Sequence, residues 1–546
     1  MFSFIELSSL VKIFPDSLVT DNGYSSATIM KNETFSYQIA YTSEPEEEWR
    51  HSLGFSVAVE SPIADRVTLR EIVCVPSEFP VRDVPGDDDY VRRTPGLYPD
   101  LLLPLDCMRI EAVRGIYHSI LVTVKPNGVS GVYPIKIVFT SDNGDVIEKL
   151  FTLEIVDAFL PEQELIFTNW FHCDCIASVY GVKVFSMKHW SLIEKFMRTA
   201  AENGMNMILT PLFTPPLDTA IGSERPTVQL VGVTKRGEEY SFDFSLLDKW
   251  IALAESCGIK YFEMSHLFTQ WGAKAAPKIV ATVGGRKKRI FGWDTPSDGD
   301  EYAAFLDAFL PELVSHLRKL KIAEKCVFHV SDEPNAEQLD SYLKAKSLVK
   351  KHLGGFKIMD ALSDVRFYKS GAIEHPIPAS DAIEPFISEN IPDLWTYYCC
   401  GQIKGCSNAF FGMPSARVRV IGAQMYKYGI KGFLQWGYNF YYSALSREVI
   451  NPFVTTDAKG VFPSGDAFRV YPGKDGPLES VRLVVFAEAL EDMRAFRLLE
   501  KYVGRDEVVK LIEEKLGHVA FSMAPVTDEA IIALKEEVNA RIKQYL

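Results

Sequence analysis

The sequence predicts a β-sandwich followed by an α/β catalytic domain of the (β/α)8 TIM-barrel class, with the break near residue 160. Three observations lead there. Before Pro161, apolar residues alternate with period two between turn signals. After it, short apolar runs alternate with helical patterns and give eight candidate strands. An open doubly wound sheet would need a Gly-rich phosphate turn after an early strand, and Val283-Gly284-Gly285-Arg286 is not placed to supply one.

In the first part, Phe35 to Tyr41, Gly54 to Val59, Ser119 to Val124, Tyr133 to Phe139 and Phe151 to Val156 each put apolar residues on one face of a pleat. Lys125-Pro126-Asn127-Gly128 and Ser141-Asp142-Asn143-Gly144 supply hairpin or turn chemistry between them. Leu160-Pro161-Glu162 is the expected linker. Residues 1–160 are therefore assigned to an antiparallel sandwich, and residues 161–546 to the barrel with its C-terminal helices.

Barrel strands are expected, in order, at Leu165 to Trp170, Met205 to Thr210, Ile259 to Met264, Lys325 to Val330, Phe356 to Asp360, Leu394 to Tyr398, Gly432 to Trp436 and Phe468 to Tyr471. Each is apolar and too brief for a helix. Helical spacing marks Lys188 to Asn203, Ser245 to Cys257, Tyr302 to Leu320 and Ala416 to Tyr428. A long helix follows from Leu478 to Val503, and residues 507–546 read as two amphipathic helices.

Hydrophobic residues make up 47% of the 546 and aromatics 12%, which suits either a large core or a carbohydrate cleft. A net charge of −14 lacks the concentrated basic face that nucleic acid or an anionic membrane requires, so neither is an expected partner. The run Arg286-Lys287-Lys288-Arg289 reads as a solvated loop. Nine cysteines cannot all pair within one chain, and Cys173/Cys175 and Cys399-Cys400 stand too close for a disulfide framework; reduced thiols and a cytoplasmic location are expected. No metal or cofactor is expected, because no CxxC pairs with a second and His172, Cys173 and Asp174 are too tightly spaced for one tetrahedral site. The first residues lack a basic run, so no signal peptide is read there, and no apolar stretch approaches the length of about 18 residues that a membrane span needs.

Ser331-Asp332-Glu333-Pro334 directly follows the buried-strand pattern Cys326 to Val330, and a helical pattern runs on from Pro334 to about Lys351. Two adjacent carboxylates are thus delivered to the carboxyl end of a strand, where a barrel collects its catalytic groups. A helix cap with Pro in the first turn is the plainer account. A cap, however, needs one acid, not two.

These four residues, together with Trp395-Thr396-Tyr397-Tyr398-Cys399-Cys400, the run Gly432 to Asn439, Tyr471-Pro472-Gly473-Lys474-Asp475-Gly476 and Ser480-Val481-Arg482-Leu483, form a succession that resembles glycoside hydrolase family 123 and its uncharacterised relatives. The resemblance spans essentially the whole chain. It implies a sandwich-plus-barrel fold and exo-acting β-N-acetylgalactosaminidase chemistry on a glycan, in which the substrate's own 2-acetamido oxygen is the nucleophile. By that likeness Asp332 orients the acetamido group, while Glu333 protonates the leaving oxygen and later activates water. Adjacent acids suit such a scheme, because a conventional retaining enzyme needs its nucleophile about 5 Å from the acid/base and an inverting one needs roughly 6.5–9.5 Å.

Around this pair, Trp436 and Asn439 after the expected seventh strand are candidate sugar contacts, the first through its face and the second through its amide. Tyr397 and Tyr398 end the expected sixth strand, and only one can point inward. Trp170 and His172 end the first strand and are further substrate-binding candidates, although the lone histidine also reads as a structural residue. Glu263, His266 and Asp360 are expected behind the site, and Asn408 and Arg417 either as ligand contacts or as structural bridges. Two other readings stay open: a glycosidase acting on another sugar with Asp360 or Glu263 as nucleophile, and a non-catalytic glycan-binding protein.

Overall fold

The computed structural model describes residues 2–44, 51–82, 84–523 and 525–546. Its N-terminal region is mostly β. One five-stranded sheet runs, in spatial order, Phe2–Ser8, Phe35–Ser43, His118–Val124, Val67–Ser77 and Gly96–Pro104; a second runs Ser26–Met30, Val146–Val156, Gly131–Ser141, Ser52–Glu60 and Arg109–Val113. All neighbours are antiparallel except Ser26–Met30, which lies parallel to Val146–Val156. Alternation sends Phe4, Tyr37, Ile39 and Ile120 from the first sheet and Phe55, Phe139 and Phe151 from the second into one shared core. There Tyr37 and Phe151 stack with centroids 4.1 Å apart. Each buried Phe contributes about 1.5–3 kcal/mol relative to an exposed one. The turn at Ser141 to Gly144 joins two paired strands as expected, whereas Lys125 to Gly128 carries the chain from one sheet to the other.

The strand Phe35–Ser43 is buried along its whole length, because the first sheet has a second covered face. Gln38 donates its amide N–H there to the Ser8 carbonyl (2.8 Å), and Ser36 Oγ meets Thr123 Oγ1 (3.0 Å). Beyond this face Leu10, Phe14, Tyr98 and Leu101 share a core with the helices that follow.

After residue 165 eight parallel strands form a nearly closed sheet: β1 Ile166–Asn169, β2 Met207–Thr210, β3 Tyr261–Met264, β4 Cys326–Phe328, β5 Lys357–Ala361, β6 His375–Ile377, β7 Trp395–Tyr398 and β8 Gly432–Gln435. β1 pairs with both β2 and β8, and the β6–β7 seam is bridged where Tyr397 N–H donates to the Pro378 carbonyl (3.1 Å). The order corrects the sequence reading at two places. The sixth strand is His375–Ile377, so the strands ending in Tyr398 and Gln435 are the seventh and eighth. Phe468 to Tyr471 is not a barrel strand; Val470–Pro472 pairs instead with Pro477–Glu479 in a small hairpin.

Two more expectations are revised. Arg286–Phe291 is an exposed strand, not a loop, in a four-stranded sheet inserted after β2 and β3; the Gly284-Gly285 turn, at φ 57° and 78°, folds it back on Ile279–Val283. The helix expected from Ala416 to Tyr428 divides into Ser415–Arg419 and Ile421–Lys427. The long helix Val481–Val503 packs across this second piece so closely that a Cβ on Gly422 would stand 2.2 Å from the Ala489 carbonyl oxygen. The tail is helical at Arg505–Leu516 and Asp528–Lys543. Among the described residues, no helix is long and apolar enough to cross a membrane.

Candidate active site

Asn335 settles what the acidic pair is not. Its side chain accepts from Glu337 N–H and its own N–H donates to Gln338, a complete capping box for the helical stretch that follows. Asp332 and Glu333 are therefore not needed as caps. The backbone carries them off β4 in a tight bend: Asp332 O accepts from Trp271 N–H (3.0 Å), and Glu333 N–H donates to Ala361 O (3.0 Å) at the end of β5. Glu333 stands at φ 44°, in the left-handed region that residues other than glycine seldom adopt, and Trp271 and Asp218 at the same mouth stand at 58° and 38°. Such conformations cost roughly 1–3 kcal/mol each and persist where surrounding contacts enforce them.

The mouth holds a cavity of about 170 Å³ lined by Trp170, His172, Asp218, Trp271, Asp332, Glu333, Tyr397, Cys399, Cys400, Trp436 and Phe462, among others. Tyr397 points inward and its hydroxyl donates to Glu333 Oε1 (2.5 Å). Burial, then the Glu333 charge, holds this phenol well above its ordinary pKa, so it keeps its proton and donates. On the far side of Glu333 an open groove of about 650 Å³ runs past Asn335, Ser363, Asp364 and Arg366. Glu333 and Tyr397 border both spaces.

Beneath the acids lies a buried ion network. His329 Nε2–H donates to Glu263 Oε1 (2.7 Å), and its Nδ1 lies 3.4 Å from Asp360 Oδ1. Glu263 also accepts from Thr168 (2.5 Å) and from the Trp170 indole N–H (2.7 Å); Asp360 accepts from Tyr342 (2.7 Å) and Val330 N–H (2.9 Å). Although burial opposes it, the two carboxylates push His329 up to about 10, so it is an imidazolium. His266 stacks on that ring at 4.5 Å and is held well below its ordinary range by burial and by the His329 charge. His266, His329 and Asp360 cluster closely enough to suggest a cation site. A protonated His329 offers no lone pair, so the group is an ion network as it stands. Asp332 is raised well above the usual carboxylate range, first by burial and then by Glu333, with His329 pulling the other way.

The remaining candidates divide. Trp170, His172, Tyr397 and Trp436 line the cavity with the acids. His172 is neutral, held down to about 3 by burial and the adjacent Arg225; Nε2 bonds the Trp436 carbonyl (2.9 Å) and Nδ1 meets Arg225 Nη2 (3.1 Å). Asp174 is paired with the same Arg225 (2.7 Å). Two expected sugar contacts lie elsewhere. Tyr398 faces outward, because strand side chains alternate, and its hydroxyl accepts from Arg469 (3.1 Å). Asn439 is buried and spends its amide on His172, accepting from N–H (2.8 Å) and donating to the carbonyl (3.1 Å). Arg417 is a structural bridge to Asp87 (2.6 Å), and Asn408 holds the Cys399 and Gln402 carbonyls (2.8 Å each).

Sequence reasoning missed Trp271, Asp218, the Cys399-Cys400 pair and Asp466, which accepts from the Trp436 indole N–H (2.9 Å). Trp271 stands beyond β3 in Gln270-Trp271-Gly272, and an aromatic next to glycine past a strand end was the available signal. Asp218, in the loop after β2, carried none.

Residues 170–499 match the family model described as the glycoside hydrolase 123 catalytic domain. A solved family 123 glycoside hydrolase from Clostridium perfringens, reported with the details of glycolipid glycan hydrolysis, superposes with TM-score 0.72 over 100% of this chain and 98% of that one, at 16% identity. At that identity the likeness shows the fold. A Bacteroides ovatus family 5 xyloglucanase (9% identity, TM-score 0.31, 87% of this chain and 100% of that one) and a putative glycoside hydrolase from Bacteroides vulgatus (8%, 0.31, 87% and 78%) are too distant to bear on the site. No curated protein sequence matches. On the match to its catalytic-domain model, the chain belongs to glycoside hydrolase family 123 and is a glycoside hydrolase.

Proposed function

We propose that the protein is an exo-acting glycosidase that releases terminal β-linked N-acetylgalactosamine with retention, the substrate's 2-acetamido oxygen serving as nucleophile. The carrying observation is the division of acids at the mouth. Asp332 and Glu333 face the cavity side by side, whereas Glu263 and Asp360, the nucleophile candidates of the conventional reading, are buried and committed to His329. A small cavity that shares Glu333 and Tyr397 as a wall with a wide polar groove suits one sugar ring with its leaving group outside. As the acetamido oxygen bonds to C1, the C1–leaving-group bond breaks and Glu333 gives its proton to the departing oxygen. Asp332 accepts the acetamido N–H and stabilises positive charge on the cyclic intermediate. Water then attacks C1 as Glu333 takes its proton, and the acetamido oxygen is released. The three cavity tryptophans supply apolar faces for the ring. With this reading go a β-sandwich at residues 1–160, a TIM-barrel catalytic domain at residues 161–546, and a cytoplasmic location.

Asp218 favours a second reading. It lines the same cavity, so a side-chain nucleophile on a sugar without the acetamido group has a candidate. Matched 4-nitrophenyl β-glycosides with and without a 2-acetamido group separate the two. Turnover confined to the acetamido sugars, with competitive inhibition by a thiazoline analogue, is expected. A fluorosugar ester trapped on Asp218 would establish the second reading.

A further inference from the structure

The cavity wall carries one pair of groups that the proposed hydrolysis does not use. Cys399 and Cys400 leave the end of β7 side by side, both line the cavity, and both are half-buried and reduced. Both residues border the same cavity although strand side chains alternate, because they lie in the turn beyond β7 and not in the strand itself. The turn that brings them together is pinned. Cys399 N–H donates to Gln402 Oε1 (2.8 Å), and the Cys399 carbonyl accepts from Asn408 Nδ2 (2.8 Å). Two residues back, Tyr397 holds Glu333.

We propose that Cys399 and Cys400 form a dithiol site for a trivalent thiophilic ligand of the organoarsenical class, whose binding blocks the active-site cavity. The step is a condensation. With an arylarsine oxide, the arsenic–oxygen bonds break, two arsenic–sulfur bonds form, and both thiol protons leave with the oxygen as water; arsenic stays trivalent and no oxidant is needed. A direct disulfide between adjacent residues would close a small ring far from the geometry that sulfur prefers. One bridging arsenic atom enlarges that ring. The partner thiol, and then burial, hold Cys399 above the usual thiol range, which disfavours thiolate-dependent exchange but leaves a condensation open. The other close pair, Cys173 and Cys175, is fully buried, with Cys175 Sγ accepting from Tyr441 N–H (3.4 Å).

Phenylarsine oxide added to the folded full-length protein should give one adduct per chain by intact mass, with two titratable thiols lost. Digestion of the wild-type adduct should place it on the peptide containing residues 399 and 400. A dithiol such as 2,3-dimercaptopropanol should remove it, and a monothiol should not. Cys399→Ser and Cys400→Ser should each abolish monothiol-resistant capture, and activity of the wild type on 4-nitrophenyl N-acetyl-β-galactosaminide should fall in proportion to the adduct. No adduct on the folded protein, an adduct mapped to other cysteines, capture persisting in both serine variants, or full adduct with undiminished activity would each overturn the proposal. Should that glycoside not be turned over at all, the substrate assignment fails, while mass and peptide mapping still decide the dithiol site.

Discussion

Glu333 and Asp332 differ in what surrounds them, and that difference separates their expected mutant behaviour. Glu333 borders the open polar groove, so on the proposed mechanism Glu333→Gln should lose about 10²-fold or more on substrates with poor leaving groups and less on activated aryl glycosides. Asp332→Asn removes the charge opposite the developing cation and should be the more damaging on activated substrates. Leaving-group series on both variants check this, and indistinguishable series would show that the roles are wrongly divided. Asp332 also bears on stability. Its folded pKa is raised, so its ionised form opposes folding near neutral pH. Asp332→Asn should therefore melt higher than wild type at pH 7, and the gap should close as pH falls and the wild-type carboxyl becomes neutral. His329 has the opposite sign. Raised to about 10, it contributes stability that is fully present below its unfolded value of about 6.5 and lost as pH rises through 10. His329→Gln should cost roughly 3–5 kcal/mol near pH 6, by denaturant titration, with a smaller cost at high pH. Its kcat profile should lose activity at a higher pH on the acid side than wild type, since the cation that favours ionised Asp332 is gone.

At the scale of elements, the site depends on how closely the loop after β8 approaches Asp466 and Ala467, in the segment that leads to the hairpin. A Cβ on Gly437 would meet the Ala467 carbonyl oxygen at 2.5 Å, a backbone atom that no rotamer change can move away. Gly437→Ala should destabilise the fold by about 1–3 kcal/mol, measured by chemical denaturation. It should also raise KM, because Trp436 next to it is held on Asp466 across the same contact. Asn335→Ala should lose about 1 kcal/mol from the cap, by chemical denaturation, with kcat little changed because the bend at Glu333 is held by the backbone bonds to Trp271 and Ala361.

Across the whole molecule, buried ion pairs join the N-terminal sheets to the C-terminal helices. Arg482 meets Asp100 through Nε (2.8 Å) and Nη2 (3.0 Å), and Tyr471 donates to the same carboxylate (2.5 Å). Lys535 is likewise paired with Glu33, and Ser9 donates to Glu488 (3.0 Å), which together with Asp492 holds Arg419 within the C-terminal part. With a core that is continuous across this boundary, calorimetry should show one unfolding transition for the full chain. Asp100→Asn leaves Arg482 buried without its counter-charge and should lower that transition by an amount matching roughly 3–5 kcal/mol.

Much of this was legible from local pattern. Period-two runs marked strands in both N-terminal sheets, seven of the eight barrel strands showed as short apolar runs, and the placement of Asp332-Glu333 behind one of them followed from strand length alone. His375–Ile377 escaped because three residues with Pro376 in the middle carry neither a period nor a strand's usual composition. Missing it shifted the numbering and drew Phe468 to Tyr471 into the barrel to complete eight. The side chains that meet at the mouth were harder still. The alternation rule says that only one of Tyr397 and Tyr398 faces inward, but which one depends on barrel register, and Asn439 looked like a sugar ligand until the fold brought the His172 backbone against it. Periodicity reports which face of an element is buried. Asp218, Trp271 and Cys400 came from separate loops with no shared period, and only the closure of the sheet set them around one cavity.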